Sequence, residues 1–115
     1  MRASVLLIDD DENLRAVMEA GLTANGYAVQ AAHGGNPALK LMESAEFDVV
    51  VTDIVMADGE GFETLQAIKQ RCDIAMVAIS GNPQYFPLMH QLGARTLMKP
   101  FGLAELVETI DAALG

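Results

Sequence analysis

The feature that most constrains the fold is a pair of short apolar runs that each end in carboxylates. Residues 48–53 read DVVVTD and residues 5–11 read VLLIDDD. Their apolar residues do not alternate with polar ones, which is typical of strands buried on both faces of a sheet. Parallel sheets covered by helices bury strands in this way and bind ligands at the strands' carboxyl ends. The two acidic groups are therefore predicted to lie where such a sheet has its site.

Three further apolar segments predict the remaining strands, and helical patterns lie between all five. The predicted strands are 5–8, 27–32, a third that ends at residue 53, 74–79 and 96–98. Asn36 is predicted to cap the second helix, with Pro37 at its first position. Because proline disrupts a helix interior, Pro83 and Pro87 predict an irregular stretch over 82–86 and a short fourth helix over 87–92.

Five strands alternating with five helices predict an α/β fold, in which a doubly wound, mostly parallel five-stranded sheet has right-handed crossovers. The favoured strand order is 2-1-3-4-5, whose switch point lies between the first and third strands. The length predicts a single domain over residues 1–115. This order places Asp9, Asp10 and Asp53 in one crevice.

Composition excludes several classes of function. Seven basic residues against sixteen acidic ones give a net charge of −9, which argues against direct binding to nucleic acid. With no stretch long enough to span a membrane and no apolar leader, the predicted location is the cytoplasm. Cys72 is the single cysteine, which excludes a thiolate metal cluster. His33 and His90 have no partners at ligand spacing and are interpreted as non-functional.

The predicted crevice has the groups that phosphoryl transfer requires. Clustered carboxylates repel one another unless a proton or a cation joins them, and an all-oxygen ligand set suits Mg²⁺. Ser80 and Lys99 end the fourth and fifth strands and so reach the same crevice. They offer a hydroxyl and a cationic partner to phosphoryl oxygens. Asp53 is therefore the candidate nucleophile and the candidate site of an aspartyl phosphate.

The chain resembles the receiver domains of two-component response regulators, the CheY-like superfamily with a flavodoxin-like (βα)5 fold. The resemblance covers almost the whole length and depends on four motifs in order. They are LIDD at residues 7–10, TDIVM at 52–56, ISG at 79–81 and MKPF at 98–101.

The resemblance implies that Asp53 accepts a phosphoryl group from a sensor histidine kinase or a histidine phosphotransfer protein. It implies a Mg²⁺ site formed by Asp10, Asp53 and the backbone carbonyl of Val55, with Asp9 acting through water. Ser80 would move to a phosphoryl oxygen, and Lys99 would pair with it. The bond between Lys99 and Pro100 is expected to be cis.

The chain also departs from the family pattern. Ala57 replaces the usual proline, and Thr96 stands where many receivers carry an aromatic residue that turns inward when the serine moves. Pro83 and Pro87 make the fourth helix atypical. Val55 is apolar where a polar side chain can orient attacking water, which together with Asn82 predicts slow self-dephosphorylation.

The predicted function is a phosphorylation-controlled switch that changes the face formed by its fourth helix and fifth strand, and not an enzyme. The partners are the phosphodonor protein and either a downstream protein or an output domain of a longer chain. A second copy of the chain, in a dimer that forms on phosphorylation, is a further predicted partner. The alternatives are a small Mg²⁺-dependent phosphohydrolase with an Asp nucleophile and a phosphate-independent binding module of the same fold.

Overall fold

The computed structural model describes residues 2–54 and 61–115, and within them five strands form one parallel sheet. The strand order is β2-β1-β3-β4-β5, as predicted. The strands are β1 (Ser4–Ile8), β2 (Ala28–Ala32), β3 (Val49–Asp53), β4 (Ala75–Ser80) and β5 (Arg95–Met98). The predicted α/β class and topology are therefore confirmed.

Helices cover both faces of the sheet. They are α1 (Glu12–Ala24), α2 (Gly35–Leu41), α3 (Gly61–Arg71), α4 (Phe86–Gln91) and α5 (Leu103–Leu114). Alternate residues of each strand face opposite sides, so the strands contribute to two separate cores. Leu6 and Val50 pack with residues of α2, α3 and α4, whereas Leu7 and Val51 pack with residues of α1 and α5. Residues 49–51 are fully buried, as their apolar run predicts.

The second and fourth helices begin earlier than predicted. The cap of α2 is Gly34 and not Asn36, so Asn36 and Pro37 both lie in the first turn. Proline is tolerated there because the first N–H groups of a helix have no partner within it. Residues 83–85, predicted to be irregular, form a 3₁₀ helix (Pro83–Tyr85), and α4 begins at Phe86 and not at Pro87.

A cluster of three polar side chains lies near the amino end of the sheet. Asp111 on α5 accepts a hydrogen bond from the Tyr27 hydroxyl at 2.6 Å and forms a salt bridge with Arg2. The Arg2 guanidinium also lies 4.5 Å from the centre of the Tyr27 ring. Burial, together with the Asp111 carboxylate, raises the pKa of Tyr27 to about 12. The cluster joins the chain before β1 to the last turns of α5.

None of the helices in the two described ranges combines the length and the apolar character that crossing a bilayer would require.

Candidate functional site

Three carboxylates converge at the carboxyl ends of β1 and β3. The two strands are neighbours in the sheet, with Ile8 opposite Thr52, so the acids that follow these residues are neighbours too. One oxygen from each of Asp9, Asp10 and Asp53 lies within 4.8 Å of the others. The predicted grouping of these three residues is therefore present in the structure.

Asp9 is the most unusual member of this acidic cluster. Its side chain is fully buried, and one oxygen accepts a hydrogen bond from the backbone N–H of Asp11 at 2.9 Å. The other oxygen, Oδ2, is buried and has no hydrogen-bond partner among the described residues. Burial raises the pKa of the Asp9 carboxyl, and the charge of Asp53 raises it further. This oxygen is suited to a cation, because a buried carboxylate without a positive partner is costly.

The acidic run at residues 9–12 has two separate roles. Asp11 is the N-cap of α1, and its carboxylate accepts hydrogen bonds from the N–H groups of Asn13 and Leu14, both at 3.1 Å. Capping places the first turn directly after the strand and leaves Asp9 and Asp10 in the crevice. The Arg15 guanidinium donates to the carbonyl of Asp9 at 2.8 Å, a contact that sequence reasoning did not predict.

Lys99 approaches the cluster from the other side, as predicted. It follows β5, and its backbone N–H donates to the backbone carbonyl of Ser80 at 3.0 Å. Its Nζ lies 3.2 Å from Oδ2 of Asp53 in a partly buried ion pair. The peptide bond between Lys99 and Pro100 is cis, which confirms that expectation.

Ser80 ends β4 and is buried, but its hydroxyl bonds to the loop that follows it. The oxygen accepts a hydrogen bond from the N–H of Asn82 at 2.9 Å. The Asn82 side chain in turn accepts from the N–H of Gln84 at 3.1 Å and caps the 3₁₀ helix. Ser80 therefore connects the end of the sheet to the segment that leads into α4.

The backbone around Asp53 requires a glycine that the sequence reading did not identify as important. A Cβ atom on Gly61 would lie 2.2 Å from the carbonyl oxygen of Asp53 and 2.6 Å from Cα of Ile54. The first residue of α3 can approach the end of β3 only without a side chain. Val55, whose carbonyl is a predicted ligand, and Ala57 lie outside the described residues.

Two residues that the sequence analysis treated separately are in contact. Thr96 of β5 and His90 of α4 share a hydrogen bond of 3.0 Å between Oγ1 and Nε2. The sequence analysis considered His90 only as a metal ligand and did not predict this hydrogen bond.

Comparison with known proteins identifies the family. The family model described as "Response regulator receiver domain" matches residues 5–111. The chain belongs to this family. Over 96% of its length it is 34% identical to the transcriptional regulatory protein CpxR of Escherichia coli (strain K12). It spans 48% of CpxR, about half of that relative's length.

Solved receiver structures share its fold. The chemotaxis response regulator CheY4 of Vibrio cholerae is 29% identical with a TM-score of 0.88, covering 99% of this chain and 100% of that one. The response regulator protein TrrA of Thermotoga maritima, solved in complex with Mg²⁺–BeF, is 27% identical with a TM-score of 0.88. That match covers 98% of this chain and 100% of TrrA. The chain is a receiver domain of two-component response regulators, a class of phosphorylation-controlled switches.

Proposed function

We propose that Asp53 accepts a phosphoryl group from a phosphohistidine of a sensor histidine kinase or a histidine phosphotransfer protein. The observation that carries the proposal is the position of the Asp53 carboxylate. One of its oxygens lies within 4.8 Å of an oxygen of Asp9 and an oxygen of Asp10, and its Oδ2 lies 3.2 Å from the Lys99 ammonium nitrogen. Such a site combines a nucleophile, ligands for a hard cation and a positive partner for phosphoryl oxygens.

Asp9, Asp10 and Asp53 would hold a Mg²⁺ ion. The ligand set is oxygen only, and the buried Oδ2 of Asp9 is available for a cation or for a water bound to it. Asp10 is the exposed member and is suited to direct coordination, with Asp9 acting through water. Bound Mg²⁺ would neutralise the charge that gathers on the carboxylates and the phosphoryl oxygens. The remaining proposed ligand, the backbone carbonyl of Val55, lies outside the described residues.

In the transfer step, an oxygen of Asp53 attacks phosphorus, and the bond from phosphorus to the donor imidazole nitrogen breaks. The electron pair of that bond stays on the imidazole nitrogen, which takes up a proton from solvent. Lys99 holds Oδ2 of Asp53, so Oδ1 is the oxygen proposed to attack. Once the acyl phosphate has formed, the Lys99 ammonium can pair with a phosphoryl oxygen, because it already lies beside the carboxylate.

Ser80 is proposed to carry the signal away from Asp53. Its hydroxyl now accepts a hydrogen bond from Asn82, and it would move to donate to a phosphoryl oxygen. That move leaves the N–H of Asn82 without its acceptor, so the segment leading to α4 has to rearrange. The face formed by α4 and β5 would then change its affinity for a downstream protein, an output domain or a second copy of the chain.

Relatives support the wider assignment. TrrA was solved in complex with Mg²⁺–BeF, which is consistent with a Mg²⁺-dependent site in this chain. CpxR is a transcriptional regulator about twice as long as the matched region, so output through a further domain is one proposed route. The net charge of −9 makes direct contact between this domain and nucleic acid unfavourable. A cytoplasmic location is part of the proposal, because it is general for the response-regulator family.

Self-dephosphorylation is proposed to be slow. The reason is the apolar Val55, together with Asn82, whose side-chain oxygen already accepts a hydrogen bond from the N–H of Gln84. A half-life of the acyl phosphate of seconds in Mg²⁺ would contradict this part of the proposal.

The test is intact mass spectrometry after incubation with acetyl phosphate and Mg²⁺, with wild type and Asp53→Asn side by side. A single phosphoryl adduct on the wild type, absent from the variant and from wild type in EDTA, is the expected result. Steady release of phosphate from many small esters would favour a phosphohydrolase. No adduct on correctly folded wild type would favour a phosphate-independent module.

A further inference from the structure

The position of α4 depends on contacts with its neighbours more than on the helix itself. It has six residues, and Met89 is its buried residue. A helix this short gains little from its own hydrogen bonds, so packing and side-chain contacts determine where it lies. Its N-terminus has no side-chain cap, because the residue before it, Tyr85, belongs to the 3₁₀ helix.

Two side-chain hydrogen bonds attach the C-terminal half of α4 to its neighbours. His90 Nε2 and Thr96 Oγ1 share a hydrogen bond of 3.0 Å that joins the helix to β5. Lys69 of α3 donates to the carbonyl of Leu92, the C-cap, at 2.6 Å. The ring of Phe86 lies one turn before His90, with the ring centres 6.4 Å apart.

The other end of α4 leads back to the proposed phosphorylation site. From Ser80 the chain passes through Asn82 and the 3₁₀ helix directly into Phe86. Ser80 lies opposite Met98 in the sheet, two residues beyond Thr96 on the same strand. The same short segment therefore lies between the Ser80 hydroxyl and the hydrogen bond of His90 with Thr96.

We propose that the His90–Thr96 hydrogen bond is a latch that holds α4 against β5 in the unphosphorylated protein and opens after phosphorylation. This inference rests on the proposed function, because it needs the movement of Ser80 away from Asn82. His90 and Thr96 are positioning residues: they do not touch the phosphoryl group and act through the placement of α4. The latch also gives the threonine a role that does not require the bulk of an aromatic side chain.

Opening the latch and phosphorylating Asp53 are coupled, so each favours the other. A variant without the hydrogen bond has a larger fraction of molecules with α4 already released. We expect Thr96→Val and His90→Phe to form the adduct about two- to fivefold faster, the range that corresponds to one exposed hydrogen bond. Both substitutions keep the approximate size of the side chain and remove its hydrogen-bonding group.

Two matched variants control for effects of the substitution itself. Thr96→Ser keeps a hydroxyl at the same position and is expected to behave as wild type. Thr109→Val makes the same chemical change on α5, where the hydroxyl donates to the carbonyl of Glu105 within one helix at 2.7 Å. It too should leave the rate of adduct formation unchanged.

The experiment combines two measurements on the full chain. Intact mass gives the rate of adduct formation with acetyl phosphate and Mg²⁺. Amide ¹H–¹⁵N spectra of residues 88–92, recorded without phosphodonor, give the position of α4. In Thr96→Val these signals should shift toward those of the phosphorylated wild type, and combining it with His90→Phe should add little, because both remove the same bond.

The results distinguish a failure of the latch proposal from a failure of the proposed function. If wild type forms the adduct and Thr96→Val matches it in both rate and α4 signals, the latch is wrong and phosphorylation of Asp53 stands. Additive effects in the double variant would also overturn the latch. If wild type forms no adduct, the proposed function fails and the coupling fails with it. If His90→Phe does not fold, the comparison of Thr96→Val with Thr96→Ser decides.

Discussion

The two ends of the sheet differ in whether their carboxylates have cationic and hydrogen-bonding partners. At the amino end, Asp111 is paired with the Arg2 guanidinium and the Tyr27 hydroxyl. At the carboxyl end, Asp9 is fully buried next to two further carboxylates, and its Oδ2 has no hydrogen-bond partner in the described part of the chain. The Lys99 ammonium at this end bonds to Asp53.

The difference separates groups that stabilise the fold from groups that are kept for a ligand. A carboxylate with a cation and a hydroxyl as partners lowers the free energy of the folded state. A buried carboxylate beside like charges raises it, and such sites are frequent where proteins bind or react. Substitutions at the amino end should therefore change stability alone, whereas substitutions at the carboxyl end should change phosphorylation.

The largest expected effect is that of Lys99→Met on phosphorylation. Removing the ammonium beside Asp53 should slow adduct formation with acetyl phosphate and Mg²⁺ by about a hundredfold, because one preorganised charge at the reacting group is lost. The free energy of unfolding should change by less than about 1 kcal/mol, since the ion pair is partly exposed. Lys40→Met, an exposed lysine on α2, is the control. Equal rates for wild type and Lys99→Met would remove this residue from the site.

The next effect is on stability at the same end. Asp9→Asn keeps an oxygen for the N–H of Asp11 and removes the buried charge, so in EDTA it should raise the free energy of unfolding by about 1 kcal/mol. That corresponds to roughly 4 °C in melting temperature. Mg²⁺ should stabilise this variant less than wild type.

The pH dependence of the free energy of unfolding, compared between wild type and Asp9→Asn, tests whether the buried charge causes this difference in stability. The raised pKa of Asp9 means that the folded state keeps a proton that the unfolded chain has released. Wild type in EDTA should therefore lose stability as pH rises from the ordinary carboxyl range to that raised pKa, and Asp9→Asn should lack this component. Asp73→Asn, at an exposed position, should behave as wild type. If Asp9→Asn were less stable than wild type, the Asp9 carboxylate would not be the costly buried charge described above.

At the amino end, Tyr27→Phe removes the hydrogen bond to Asp111. It should lower the free energy of unfolding by about 1 kcal/mol, measured by urea or thermal unfolding, because Asp111 loses one of its partners. Its rate of phosphorylation should equal that of wild type. Tyr85→Phe, whose hydroxyl has no hydrogen bond to the residues that the structure describes, is the matched control. A slower phosphorylation of Tyr27→Phe would mean that the two ends are coupled.

The smallest expected effect is a difference in alkaline stability. The pKa of Tyr27 is raised from 10.0 to about 12, so the folded state retains the phenolic proton to a higher pH than the unfolded chain does. Wild type should therefore lose stability as pH rises from about 10 toward about 12 through this residue. Subtracting the pH profile of Tyr27→Phe isolates that loss from other titrating groups. Identical slopes would contradict the raised pKa of Tyr27.

The sequence predicted the sheet and the acidic cluster because both depend on local patterns. Uninterrupted apolar runs predict buried strands, and the strand order then brings the acids that follow Ile8 and Thr52 together. Asp9, Asp10, Asp53, Ser80 and Lys99 each end or follow a strand, so the topology determines where they lie. Their chemical roles, and the extent of the domain over residues 1–115, stay predictions.

The sequence did not predict features that depend on close approach between distant elements. A Cβ on Gly35 would lie 2.3 Å from Oγ1 of Thr64, so packing of α2 on α3 sets where α2 begins, and Asn36 does not. Gly61 is required by the backbone of Asp53 for a similar reason. His90 and Thr96 lie on either side of a turn at Gly93, whose φ is +86°. Their separation of six residues runs from a helix into a strand, so no single local periodicity predicts the contact.

The most direct test of the account is the position of the phosphoryl group in the wild-type protein. After reaction with acetyl phosphate and Mg²⁺, borohydride reduction converts an aspartyl phosphate to homoserine, which peptide mapping locates. We predict homoserine at position 53 alone, with Asp9, Asp10 and Asp111 unmodified, and none when EDTA replaces Mg²⁺. Homoserine at another carboxylate, or at position 53 in equal yield with EDTA, would contradict the claim that the carboxyl end of the sheet is a cation-dependent phosphoryl-accepting site.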